Sequence, residues 1–245
     1  MPTASTAGTA RREPRRGTSS RKECIKVGNL IMVLGKSGSG KSTSLRNFAP
    51  DEVGVFSVAG KRLPFRSTLP MVQHAGYQRI AEILAANKRR CYVIDDATYL
   101  MQFDNFNRAK ESSYTKFTEF AVAFQQLLQR ASWTSEDTNV YFLMHPDTDD
   151  MGREKPKTIG KMLDEKLCVE GLFPIVIDAR VEQGEDGRPR HVFVTENDGT
   201  NIAKAPIDML PPKMDNDLRE VDRLIREYWG MRPITDKAAE AADKE

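Results

Sequence analysis

Residues 35–42 read GKSGSGKS and constrain the fold more than any other segment of the chain. They satisfy G-x-x-x-x-G-K-[ST], a pattern that works in one local context: a strand runs into the loop and a helix leaves it. Both flanks fit. Leu30-Ile31-Met32-Val33-Leu34 is an apolar run of buried-strand length, and residues 42–48 read as the first turns of a helix that Pro50 limits. The glycines let the backbone turn tightly, so that successive N–H groups converge on an anion, and the helix start adds partial positive charge. Gly35, Lys36, Ser37, Gly38, Ser39, Gly40, Lys41, Ser42 and Thr43 therefore form a candidate phosphate cradle. Lys41 is expected to reach the β- and γ-phosphates of a nucleotide such as ATP, and the Ser42 hydroxyl to hold Mg²⁺.

Downstream, apolar runs of strand length alternate with helical periodicity. Strands are expected at 53–58, 91–94 and 140–144, and helices at 74–87 and from Tyr114 to Ala131. In the second helix Phe117, Phe120, Phe124, Leu127 and Leu128 form a core stripe, with Lys116, Glu119, Gln126 and Arg130 opposite. A charged loop at 147–158 and a short helix near 159–168 come next. Residues 175–181 and 190–195 read as a hairpin turning at Glu185-Asp186-Gly187. Pro211-Pro212 breaks the chain before a final helix, capped by Asp217 with Glu220 three residues on. This order predicts an α/β fold: a mostly parallel sheet flanked by helices, with a C-terminal β-hairpin at one edge. In such sheets ligands sit at the carboxyl ends of the strands, here Leu34, Ile94 and Met144.

Those ends supply the remaining candidates. Asp95 follows the run Cys91-Tyr92-Val93-Ile94, as a Walker B acid does, and is expected to order Mg²⁺ beside Ser42. Asp96 is a candidate to polarise an attacking water. His145 closes its strand, which is expected to lie between the strands of the loop and of Asp95, where a histidine can sense a γ-phosphate. The loop behind it, PDTDDMGREKPKTIGK, is basic in its second half, and Arg153, Lys155, Lys157 and Lys161 suit a nucleic-acid backbone.

Composition narrows the class. No apolar run approaches the roughly 18 residues of a membrane span, so no membrane role is expected. Cys24, Cys91 and Cys168 form no C-x-x-C pair, which argues for a reducing cytoplasm without disulfides or structural zinc. The net charge of +2 hides an asymmetry. Residues 1–26 carry seven basic groups against two acidic ones, leaving −3 for the remainder. This basic tail is expected to be disordered and able to neutralise nucleic-acid phosphates. The expected organisation is the tail at 1–26, an ATPase domain at 27–212, a C-terminal helix at 213–231 and a flexible end at 232–245.

The blocks GKSGSGKSTSLRNF, VAGKRLPFR, YVIDDATYLM, YFLMHPD, KPKTIGKMLDEK and TENDGTNIAKAP together resemble phage-encoded, RecA-like P-loop ATPases of the Sak-type recombination group. The resemblance implies ATP and Mg²⁺ as cofactors, single-stranded DNA as a partner, and a homo-oligomer in the cytoplasm of the infected host cell. Phage recombination or replication proteins are further implied partners, in single-strand annealing or recombination. It also implies a basic residue reaching a neighbouring subunit's site, with Lys204 first and Arg180 and Arg190 behind it. One departure stands out: RecA-like ATPases usually carry a glutamate after the second strand, whereas here Ser57-Val58-Ala59-Gly60-Lys61 follows. That leaves a nucleotide-switched loader with negligible hydrolysis as an alternative. A P-loop kinase is a third, disfavoured because the arginine-rich segment is the N-terminal tail.

Overall fold

The computed structural model describes residues 27–148, 152, 154–184 and 186–235. The basic tail, most of the expected flexible end, Arg153 and Glu185 lie outside the described residues.

The phosphate-loop strand β1 (Asn29–Leu34) sits in the interior of the sheet, parallel to a neighbour on each side. One neighbour is β5 (Asn139–Met144), which separates β1 from β4 (Cys91–Asp95). Beyond β4 lie β2 (Gly54–Ser57) and β3 (Met71–Gln73), both parallel. On the other side β8 (Ile175–Gln183) begins parallel to β1 and continues into an antiparallel hairpin with β9 (Pro189–Val194), joined by β10 (Lys213–Asp215). Among the described residues this makes an eight-stranded sheet ordered β10-β9-β8-β1-β5-β4-β2-β3.

The apolar runs have no polar alternation because both faces of the sheet are covered. Leu30, Met32 and Leu34 pack with Tyr92, Ile94, Val140, Phe142 and Met144 on one face. That face is roofed by α1 (Tyr77–Ala86), α2 (Thr98–Asn107) and α3 (Thr115–Ser132). Ile31 and Val33 pack with Val93, Tyr141 and Leu143 on the other, beneath a 3-10 helix (Ser42–Asn47) and α5 (Leu218–Trp229). Each fully buried large side chain contributes about 1.5–3 kcal/mol, so interior strands of this kind anchor whatever loops they carry.

Several elements depart from the periodicity. The segment leaving the loop is 3-10 rather than α, and α2 and β3 occupy stretches that carried no clear pattern. The charged loop contains a small antiparallel ribbon, β6 (Pro146–Thr148) with β7 (Glu154–Pro156), and the helix after it is α4 (Lys161–Lys166). The segment after Pro211-Pro212 enters an edge strand before it enters a helix: Lys213, Met214 and Asp215 pair with Val194, Phe193 and Val192. Prolines suit that edge because they have no N–H to leave unpaired. Lys116, expected on the solvent face of α3, is buried, and its ammonium donates to the carbonyls of Arg108 and Glu111.

Candidate nucleotide site

Register brings three strand ends together. Leu34 lies beside Met144, Ile94 beside Phe142, and the Gly35 N–H donates to the Met144 carbonyl at 3.2 Å. The loop, the acidic pair and His145 therefore line one edge of the sheet. Gly40 adopts φ 93°, and a Cβ there would come within 2.9 Å of the His191 ring, so the position demands glycine on two counts.

Lys41 is buried, and its Nζ donates to the carbonyls of Gly35 (2.5 Å) and Lys36 (3.0 Å). Burial lowers its pKa to about 8, against the opposing pull of Asp96 and Asp95. Ser42 Oγ donates to Asp95 Oδ1 at 2.8 Å, joining the loop to the end of β4 across 53 residues. Burial, then the neighbouring Asp96, raises the Asp95 carboxyl to about 6 in spite of the bond from Ser42. Ser39 Oγ is buried, with no hydrogen-bond partner among the described residues. Thr43 lies in the 3-10 helix, partly buried, one residue past the serine.

This donor set fits a magnesium nucleotide. A hydroxyl and a carboxylate 2.8 Å apart are hard oxygen ligands of the kind Mg²⁺ takes. The orphaned Ser39 hydroxyl, the loop amides and Lys41 offer donors to phosphate oxygens. Lys36, Ser37 and Gly38 line the mouths of the clefts on either side.

Asp96 is less free than a general base would be. Its backbone is left-handed, at φ 62°, and Lys61 Nζ pairs with Oδ2 at 2.8 Å. His145 Nε2 stands 3.3 Å from Oδ1, outside good hydrogen-bond alignment. Burial alone would raise the carboxyl; His145 and Lys61 outweigh it and hold Asp96 below its ordinary value. The resulting carboxylate is a weak proton acceptor.

His145 is tethered through its backbone. Its N–H donates to Thr98 Oγ1 at 2.9 Å, its carbonyl accepts from the Lys157 N–H at 2.9 Å, and its ring meets Tyr99 edge-on. A cleft of about 540 Å³ lined by Lys36, Ser37, Tyr99, His145, Glu154 and Lys157 opens here. Lys155 lies on β7 opposite Asp147, Lys161 opens α4, and Arg153 is outside the described residues. Hence Lys157 is the basic-loop candidate that the structure brings to the loop's own cleft.

A second cleft, about 470 Å³, lies between the loop and β8 and includes Arg180. Arg180 is engaged locally, with Asp178 at 2.5 Å and Asp198 at 3.2 Å. The Lys204 backbone pairs with Val176, near the start of β8. Arg190 pairs with Asp215. Two participants escaped the sequence reading: Lys61, and His191 packed against Gly40. Nothing in β9 signalled His191, because that strand runs from three exposed residues to three buried ones without alternation.

Loop, strand order and acidic strand end together define an α/β P-loop fold, with β5 inserted between the strands of the loop and of Asp95. Neither protein families nor curated proteins give a match to the chain. Among solved structures it is similar to the prototypical ATPase of the type III secretion system of pathogenic bacteria, at 17% identity and a TM-score of 0.40. That alignment covers 62% of this chain and 52% of the other, so the chain spans about half the length of that ATPase. It is also similar to the KaiC-like protein PH0186 from Pyrococcus horikoshii OT3 (11% identity, TM-score 0.39, covering 71% and 82%). A third is the flagellar accessory protein FlaH from Methanocaldococcus jannaschii (14%, TM-score 0.40, covering 69% and 78%). Among the described residues no helix is long and apolar enough to cross a membrane.

Proposed function

We propose that the chain binds ATP with Mg²⁺ in the loop at 35–43, hydrolyses it, and uses the nucleotide to gate engagement of single-stranded DNA. The setting is phage recombination or replication, as the Sak-type resemblance implies. The observation that supports the nucleotide reading is the 2.8 Å bond from Ser42 to Asp95, which brings together two hard oxygen donors of the kind a magnesium ion takes. The DNA reading is supported by Lys157 in the cleft beside His145 and by the basic character of the N-terminal segment.

Nucleotide affinity and steady-state turnover, each measured with and without a single-stranded oligonucleotide, test both parts. Lys41→Ala is expected to weaken ATP binding by roughly tenfold to a hundredfold, because charge-assisted bonds are worth about 1.5–3 kcal/mol. The single strand is expected to raise turnover or tighten nucleotide binding; an oligonucleotide that alters neither removes DNA from the function. A second reading, a nucleotide-switched loader with negligible hydrolysis, is favoured by the engagement of Asp96 with Lys61 and by the absence of an acid after β2. One turnover followed by lasting product retention would select it.

A further inference from the structure

Where a glutamate is expected after β2, this chain places a cation, and the fold turns that cation into the acidic edge of the nucleotide site. The turn is built for the purpose. Gly60 takes φ 66°, and the His74 ring lies 2.1 Å from where a Cβ would stand, so only glycine passes. Ser57 Oγ then donates to the Lys61 carbonyl at 3.2 Å, which pins the backbone at the lysine. From that anchor the side chain crosses to Asp96, and its ammonium lies 5.0 Å from the centre of the Tyr99 ring. The side chain nevertheless keeps 60% of its exposure, so it is held at its tip and not enclosed along its length. Its partner Asp96 adjoins Asp95, whose carboxylate accepts from Ser42 of the loop, so the ammonium lies one residue along the chain from the loop's acidic contact.

We propose that Lys61 is a second phosphate-facing cation of this site, parked on Asp96 and drawn to the terminal phosphate of a bound nucleoside triphosphate. The proposal rests on the nucleotide reading above. At this edge Lys61 pairs with Asp96 and the Ser42 hydroxyl bonds to Asp95, while Lys41 is held by loop carbonyls. A magnesium triphosphate brings net negative charge. Lys41 is already bonded to loop carbonyls and enclosed, whereas Lys61 sits on a long, largely exposed stem that can reorient without moving the backbone. Its transfer leaves Asp96 with His145 alone, which couples arrival of the last phosphate to the histidine at the end of β5.

Calorimetric titration of a non-hydrolysable ATP analogue and of ADP, both with Mg²⁺, into wild type, Lys61→Gln and Lys61→Arg tests this. Lys61→Gln is expected to weaken the triphosphate analogue by about tenfold, as for loss of one charge-assisted contact, and ADP by no more than about twofold. Lys61→Arg is expected to retain most of the preference for the triphosphate, which separates charge from folding. Equal losses for both nucleotides in Lys61→Gln, or no loss for either, would overturn the role. Failure of wild type to bind either nucleotide would overturn the loop reading itself and this inference with it.

Discussion

Asp95 is a carboxylate placed where little water reaches it, 6% exposed and adjacent to a second acid. Without a metal, that charge is unfavourable. Asp95→Asn keeps an oxygen to accept from Ser42 while removing the buried charge, and is expected to stabilise the magnesium-free protein at pH 8 by about 1–3 kcal/mol. The sign follows from the raised pKa of about 6: the folded state prefers the proton, so the penalty is complete above pH 6. It fades as pH falls toward the ordinary aspartate value. Melting curves of both proteins between pH 8 and 4 should therefore converge at the acid end, and the same variant should lose magnesium-dependent nucleotide binding. Asp95 was legible in the sequence because an apolar run simply ended in it. The pairing of Asp96 with Lys61 was not, since it spans 35 residues and depends on a left-handed turn at Gly60 and another at Asp96 itself. Periodicity carries no information about such turns.

Among elements, α5 best illustrates what local chemistry can specify. Its cap was readable, and the structure places Asp217 as expected: the carboxylate accepts from the N–H groups of Arg219 (3.0 Å) and Glu220 (3.4 Å). It also accepts from Asn47 Nδ2 at 2.6 Å, tying the start of α5 to the end of the 3-10 helix behind the phosphate loop. Asp217→Ala is expected to cost about 1 kcal/mol in urea unfolding, typical of a lost N-cap. By contrast α2 was invisible as a helix. Its buried residues are Thr98, Leu100 and Met101, bunched in the first turn, and Phe103 and Phe106 are exposed, so no stripe repeats along its length. The strands β3, β6, β7 and β10 have three residues each, too short for alternation to register. They exist because a partner strand supplies the bonds, which is tertiary information.

At the scale of the whole molecule, a buried polar knot closes the end of the sheet opposite the phosphate loop. Asp222 and Arg226 pair at 2.5 Å, both nearly fully buried, and Asp222 also accepts from Asn139 Nδ2 at 2.7 Å and the Tyr141 hydroxyl at 3.1 Å. Arg226 spends its other donors on the carbonyls of Arg90, Asp137 and Arg232. Asp222→Ala would strand that guanidinium in the interior, and a loss of about 3–5 kcal/mol is expected from denaturant midpoints. Nucleotide affinity of the molecules that remain folded should be unchanged, because the knot sits at the starts of β4 and β5. Residue 145 hangs on two pegs, one in the helix that follows the acid pair and one just past the ribbon that follows the histidine. A swing of its imidazole leaves both pegs untouched but shifts the ring against Tyr99 and Asp96. A slide of its main chain strains both pegs at once and so engages the helix and the segment behind the ribbon in a single displacement.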